Sequence, residues 1–111
     1  MGDRANVLVK SSNTDRGVWL YTHWGGTELP SKLRKALAMR ERWDDPAYLT
    51  RIIFDVMTEG QHGETTGFGI SSQAQDGADR VLIVNCQNQT VTAGSNCWSF
   101  ERFIEGEFSW G

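Results

Sequence analysis

The segment that decides how this chain is expected to fold is residues 19–26, WLYTHWGG. Its first half is rich in the aromatic and β-branched residues that favour strands, and two glycines then end the strand just before a predicted helix. Trp19 and Tyr21 would share one face of this strand, because side chains alternate along it. We therefore expect aromatic rings and one histidine at a strand-to-helix corner, where ligand and partner sites are often found.

Regular elements are predicted on both sides of this corner. Residues 6–10 are typical of a strand that forms a hairpin with residues 18–22. A first helix opens at Leu29-Pro30 and is expected to end near Trp43. A second helix opens at Asp45-Pro46, where aspartate suits the N-cap and proline the first turn, and it should stop at Gly60. Its apolar residues at positions 49, 52, 53, 56 and 57 form one stripe, which indicates a buried face.

The C-terminal half predicts three more strands and a short helix. The strands are residues 67–71, 80–86 and 90–93, and Ser99 is placed to cap the last helix, with Trp98 and Phe103 packing across that cap. Short turns between late strands favour antiparallel pairing. The order ββααβββα predicts one α+β domain over residues 1–111: an antiparallel sheet of about five strands, two helices packed on one face, and a short C-terminal helix.

The charge of this 111-residue chain is unevenly distributed. The net charge is −3; residues 1–54 hold nine Lys/Arg against six Asp/Glu, and residues 55–111 hold two against eight. A general nucleic-acid binder is usually basic, so direct nucleic-acid binding is not expected. An acidic face built on Glu101, Glu105 and Glu107 could meet a basic partner. No apolar run approaches the ~20 residues of a membrane span and no secretion signal is visible, which predicts a cytoplasmic protein without a membrane partner.

Catalytic and metal motifs are not recognisable. The spacing of His23, His62, Cys86 and Cys97 matches no zinc pattern, and we predict neither a metal nor a cofactor. Cys86 shares a strand face with apolar residues and is expected in the core. A cysteine hydrolase pairing His23 with Cys97 is conceivable, because both would lie beyond strand ends. No catalytic residue is assigned, and an enzyme is the less favoured interpretation.

The binding candidates are two groups of aromatic residues and their neighbours. Trp19, Tyr21, His23 and Trp24 would suit a partner's hot spot or a nucleobase if the rings point outward. Packing of the same rings beneath the helices is equally consistent with the pattern. Trp43 and Asp44 belong to a second candidate cluster, although helix capping also explains the aspartate.

Several segments together resemble a known family. They are GVWLYTHWGG at 17–26, LP at 29–30, RWDD at 42–45, YLTRIIF at 48–54 and TGFGIS at 66–71. In this order, over roughly residues 17–104, they look like a family of small uncharacterised bacteriophage and prophage proteins. The resemblance carries no catalytic residues.

It implies a phage-type non-enzymatic protein in the bacterial host cytoplasm. Such a protein would inhibit a host protein or complex, including an immune target as anti-CRISPR proteins do, through an acidic and aromatic surface. One alternative is a small-ligand or nucleotide-binding protein using Tyr21, His23, Trp24 and the basic side chains of the first helix. Another is a small hydrolase using His23. A homodimer is left open.

Overall fold

The protein is described here by a computed structural model that covers residues 3–61, 63, 65–75, 80–106 and 108. Six strands and three helices follow one another in the order ββααββββα. They are β1 (Ala5–Lys10), β2 (Val18–Thr22), α1 (Leu29–Ala38), α2 (Pro46–Met57), β3 (Phe68–Ser71), β4 (Val81–Asn85), β5 (Thr90–Ala93), β6 (Asn96–Ser99) and α3 (Phe100–Glu105).

All six strands belong to one mixed sheet in the spatial order β3-β2-β1-β4-β5-β6. The α+β class and the β1–β2 and β4–β5 hairpins are confirmed. The prediction of a five-stranded, fully antiparallel sheet is wrong, because β1 pairs in parallel with β4 and a sixth strand is present. The predicted element order ββααβββα is corrected accordingly.

The position of β4 explains the parallel pair. This strand does not return beside β3; it lies next to β1, in the middle of the sheet. Its sequence VLIVN carries apolar side chains on both faces, with Leu82 and Val84 buried and Val81 and Ile83 partly exposed, which suits a central position in the sheet. Residues 72–80 are longer than a tight hairpin connection, which commonly has two to five residues, so they can carry the chain from the edge to the centre.

The strand β6, which was not predicted, follows from a tight turn in the local sequence. Ala93 lies opposite Asn96, so Gly94 and Ser95 form a two-residue hairpin turn, and Gly94 has a φ of +61°. Positive φ at the first central position is what the favoured hairpin turns require. The Gly-Ser pair was the signal for this strand.

The helices match their predicted starts, but α1 ends earlier than expected. It stops at Ala38 rather than near Trp43, because Arg40 adopts a left-handed φ of +56° while its N–H bonds to the Leu37 carbonyl at 3.0 Å. At α2, the Asp45 side chain accepts a hydrogen bond from the Tyr48 N–H at 3.3 Å. At α3, Ser99 accepts one from the Arg102 N–H. Both predicted caps are confirmed.

The core lies between one face of the sheet and the three helices. Alternating strand residues point into it, and the apolar stripes of α1 and α2 and the rings of α3 cover them. Cys86 is buried in this core, as predicted. The main contributors to the core are Ala5, Val7, Val9, Leu20, Leu82, Val84, Val91, Leu33, Leu37, Leu49, Ile53, Met57, Phe100 and Phe103.

Candidate partner-binding surface

The opposite face of the sheet carries none of the described helices. The core residues Val7 and Leu20 face each other in register, so their neighbours Leu8 and Trp19, which are also paired, point to the other side. We call this side the open face. One row across it, read strand by strand, comprises Ser71, Trp19, Leu8, Ile83, Thr92 and Cys97.

The open face is half-exposed and nearly free of charge. Trp19, Tyr21 and Ile83 are each partly accessible to solvent. Within the six described strands Lys10 is the one charged residue, and its ammonium group donates to the Asn13 carbonyl at 3.2 Å. The interpretation in which Trp19 and Tyr21 pack beneath the helices is therefore wrong: both rings point away from the helices.

One end of the open face is closed by a connecting segment. Asn6 lies on this face beside Tyr21, yet its side chain is fully buried. The amide oxygen of Asn6 accepts from the Gln75 N–H at 3.3 Å, and its amide nitrogen donates to the Gln75 carbonyl at 3.4 Å. A primary amide matches a peptide group in this way. The chain after β3 is thereby fastened to the sheet at one place.

His23 and Tyr21 form a small polar cluster at the end of β2. The Tyr21 hydroxyl lies 3.3 Å from His23 Nδ1, and the Arg4 guanidinium donates to the same nitrogen at 3.5 Å. Because a guanidinium can only donate, Nδ1 acts as an acceptor. Among the described residues, the groups that contact this ring nitrogen include no serine, cysteine or carboxylate that could complete a catalytic set.

Trp24 lies beside this cluster and leans over a glycine. Its indole N–H donates to the Gln61 side chain at 3.2 Å, and 46% of the residue is exposed. A Cβ on Gly67 would lie 2.2 Å from the indole ring. The ring also meets His23 and Phe68 edge-on, at centroid distances of 5.6 and 6.4 Å. Tyr21, His23 and Trp24 thus lie together at the corner, and Trp19 lies on the same strand two residues before Tyr21.

The second predicted cluster is separate and largely structural. Trp43 donates its indole N–H to the Leu37 carbonyl at 3.0 Å and packs edge-on against Phe100 at 5.2 Å. Arg40 lies over its ring. Asp44 is exposed, next to the N-cap of α2. Trp43 therefore anchors the loop between α1 and α2, on the helix side of the sheet.

The acidic residues of α3 also lie on the helix side. Both carboxylate oxygens of Glu101 accept from Arg40, one of them at 2.9 Å, and this hydrogen bonding lowers the pKa of the Glu101 carboxyl. Glu105 is exposed, and Glu107 lies outside the described residues. Glu101 and Glu105 thus lie on the side of the sheet opposite Trp19 and Tyr21, and on the same side as Trp43, which Arg40 also contacts.

The basic side chains of α1 are occupied by contacts within the chain. Lys32 donates to the Met57 carbonyl, Arg34 to the Phe103 carbonyl, and Lys35 to Glu59. Arg40 holds Glu101. A ligand phosphate would have to compete with all of these contacts. Each basic side chain of α1 thus already has a carbonyl or carboxylate acceptor within the chain.

The two cysteines are free and far from His23. Cys86 is buried and Cys97 exposed. Desolvation, helped by the nearby carboxylates of Asp45 and Asp44, raises the pKa of Cys86 to about 11, which disfavours the reactive thiolate. Cys97 lies on β6, four strands from β2, or roughly 19 Å at the usual strand spacing. A His23–Cys97 pair is therefore excluded.

A shallow groove of about 860 Å³ runs between α1 and α2. Met39 and Tyr48, both about half exposed, lie on its surface. The Arg42 guanidinium lies 4.9 Å from the centre of the Tyr48 ring, and Arg51 is paired with Asp55. Its lining mixes both signs of charge, so it shows no preference for an anionic or a cationic ligand.

No family model, curated protein or solved structure matches the chain. The described residues contain no group of three or more His, Cys, Asp or Glu placed to hold a metal ion; His62 lies outside them. Nor does any described helix have the length and apolar character needed to cross a membrane.

Sequence reasoning missed two parts of this surface. Leu8 and Ile83 complete the apolar centre of the open face, and Arg4 reaches His23 from a residue next to β1. The uninterrupted apolar run in β4 was the available signal for Ile83, since it shows that both faces of that strand avoid charge. Arg4 had no such signal, because its contact depends on how β1 pairs with β2.

Proposed function

We propose that this chain is a phage-type, non-enzymatic binding protein that inhibits a host protein, and that the open face makes the contact. The observation that carries the proposal is the position of Trp19 and Tyr21 on a helix-free, nearly uncharged sheet face. Tryptophan and tyrosine are enriched among the residues that dominate binding energy. Held on a strand, they lose little conformational freedom when a partner binds.

The charge of the open face supports a protein rather than a nucleic acid as the partner. Nucleic-acid binding draws on several cations that contact phosphates. The strands supply Lys10 alone, and the Arg4 guanidinium beside the open face donates to His23. The basic residues of α1 lie on the helix side with contacts of their own. An apolar centre with a polar edge is typical of a protein interface.

The host partner and the inhibitory effect are supported by the resemblance to small phage proteins. A domain of this size can block a host protein by covering the surface which that protein uses. A component of bacterial immunity is the first class of partner to test.

The experiment compares capture of a host protein by variants of the two sides of the sheet. Trp19→Ala should weaken the affinity of an identified partner by about 30-fold, the equivalent of a hot spot worth about 2 kcal/mol. Tyr48→Ala is the matched control, because it removes an exposed ring on the helix side. Glu105→Gln tests the acidic surface of α3 in the same assay.

Three outcomes are informative. Loss of affinity in Trp19→Ala alone supports the open face. Loss in Glu105→Gln alone would transfer the site to α3 and contradict the proposed contact. A measurable turnover abolished by His23→Ala would contradict the non-enzymatic function itself.

The small-ligand and hydrolase alternatives stay predictions. The first would need phosphate contacts that displace the existing partners of α1. The second would need a reacting group near His23 other than Tyr21 and Arg4.

A further inference from the structure

The strand β3 ends the sheet on one side, and it carries none of the usual protection of an edge. Its sequence FGIS contains no proline and no charged residue. Among the described residues, no strand pairs with its outer side. Natural proteins commonly protect such edges with lysine, proline or a bulge, because unpaired backbone groups attract another strand.

The register with β2 shows which backbone groups of β3 are free to pair. The His23 N–H bonds to the Gly67 carbonyl at 2.8 Å, and Tyr21 lies opposite Gly69 two residues further along. In an antiparallel ladder, hydrogen-bonded pairs recur at every second residue. Gly69 therefore bonds inward to β2, whereas the N–H and C=O groups of Phe68 and Ile70 point outward.

The side chains at this edge are apolar and exposed. Ile70 is 63% exposed, the highest value among the large hydrophobic residues that the structure describes. Phe68 lies on the same face of β3, two residues away, and is half-buried. A Cβ added to Gly69 would meet nothing within 4 Å. The other face of β3 is therefore unobstructed at its central residue.

We infer that β3 pairs with β3 of a second copy of this chain, antiparallel and about a two-fold axis at Gly69. This register sets Phe68 opposite Ile70 of the second copy, and Ile70 opposite its Phe68. Both residues present outward backbone groups, so the two pairs exchange about four main-chain hydrogen bonds. Two glycines meet at the axis, where strands approach most closely.

The strand is complementary to itself in three respects. The outward groups fall on residues that are symmetric about Gly69, an aromatic side chain meets a β-branched one across the pair, and no charge is repeated across the axis. Pairing would cover both copies of Ile70 and join the two sheets into one. This interface is distinct from the open face, so it does not rest on the proposed function.

The expected dimer is weak. A four-residue edge buries less than the ~1,200 Å² of a standard interface. The dimer dissociation constant should therefore lie between about 1 µM and 1 mM. Sedimentation equilibrium over this range should show the mass rising from 12.5 kDa towards twice that value.

Ile70→Glu should raise the dimer dissociation constant at least about tenfold, because it sets a carboxylate against an apolar ring. The matched control is Met39→Glu, which adds the same charge at a residue that is 53% exposed on the helix side. It should leave the dissociation constant unchanged.

A cross-linking pair tests the register directly and does not depend on the Ile70 variant. In a Cys97→Ser background, Gly69→Cys should form an interchain disulfide under mild oxidation. Directly opposed residues of a non-hydrogen-bonded pair lie about 4.5 Å apart at Cα, within disulfide range. Ser71→Cys lies on the same face but two residues off the axis, so it should cross-link at most a tenth as fast.

A mass of 12.5 kDa throughout the concentration range would overturn the inference. So would equal cross-linking of the two cysteine variants, or a dimer that Trp19→Ala abolishes and Ile70→Glu leaves intact. The last result would assign self-association to the open face.

Discussion

Gly67→Ala should destabilise the protein far more than the same substitution at a glycine with open space around it, because Gly67 lies beneath Trp24. Gly67 has a φ of +98°, and a Cβ there would lie 2.2, 2.7 and 2.8 Å from three atoms of the indole ring. An alanine must therefore adopt a strained backbone conformation and also move the ring. Since Trp24 is 46% exposed, the ring can swing outward.

The cost has two parts. Holding alanine at positive φ costs about 1.5 kcal/mol. Moving Trp24 breaks its hydrogen bond to Gln61 and its edge-on contact with Phe68, which together contribute about 1.5 kcal/mol. The free energy of unfolding should fall by about 3 kcal/mol, and Tm by roughly 12 °C in a domain of this size.

Gly60→Ala is the control, because Gly60 has a φ of +81° and open space where its Cβ would lie. It should lose about 1.5 kcal/mol and roughly 6 °C in Tm, from the backbone alone. Urea unfolding and calorimetry measure both variants. In a Trp24→Ala background, Gly67→Ala should cost no more than Gly60→Ala. Equal costs for the two glycine variants, or an unchanged cost without the tryptophan, would refute the reasoning.

Three further predictions concern titration, reactivity and ligands. The Thr27 N–H and the Arg80 guanidinium lower the pKa of Asp3, so its stabilisation is present above the unfolded pKa and is lost as the pH falls through the lower folded value; Asp3→Asn should flatten the decline of the urea midpoint between about pH 5 and pH 2. Iodoacetamide at pH 8 should label Cys97 once in the native chain, whereas Cys86, buried and with a pKa of about 11, should react only after unfolding; mass spectrometry of intact protein that shows two adducts under native conditions would contradict this. In thermal shift, nucleotides should leave Tm unchanged, because the cations of α1 already have partners; a rise in Tm that scales with ligand concentration would favour the small-ligand alternative.

Local signals in the sequence were sufficient for the helices and for most strands. Asp45-Pro46 and Ser99 act on N–H groups within three residues of themselves, and the stripe of α2 depends only on the spacing of its own residues. The corner at residues 19–24 was also recognisable, because one strand followed by two glycines already brings Tyr21, His23 and Trp24 together.

The sheet order depended on information that no local signal carries. Whether β4 pairs with β3 or with β1 is a choice between distant partners. It is decided by placing an apolar strand at the centre of the sheet, where Leu82 and Val84 are buried and Ile83 is partly exposed. This burial exists only once the helices and the other strands are in place.

The sequence by itself determined an α+β domain, its helix caps and the aromatic character of β2. Only the tertiary structure decided that Trp19 and Tyr21 face away from the helices, that Arg40 neutralises Glu101, and that β3 lies at the edge. Alternation assigns residues to two faces of a strand but cannot say which face the helices cover. That assignment comes from the packing of the whole sheet.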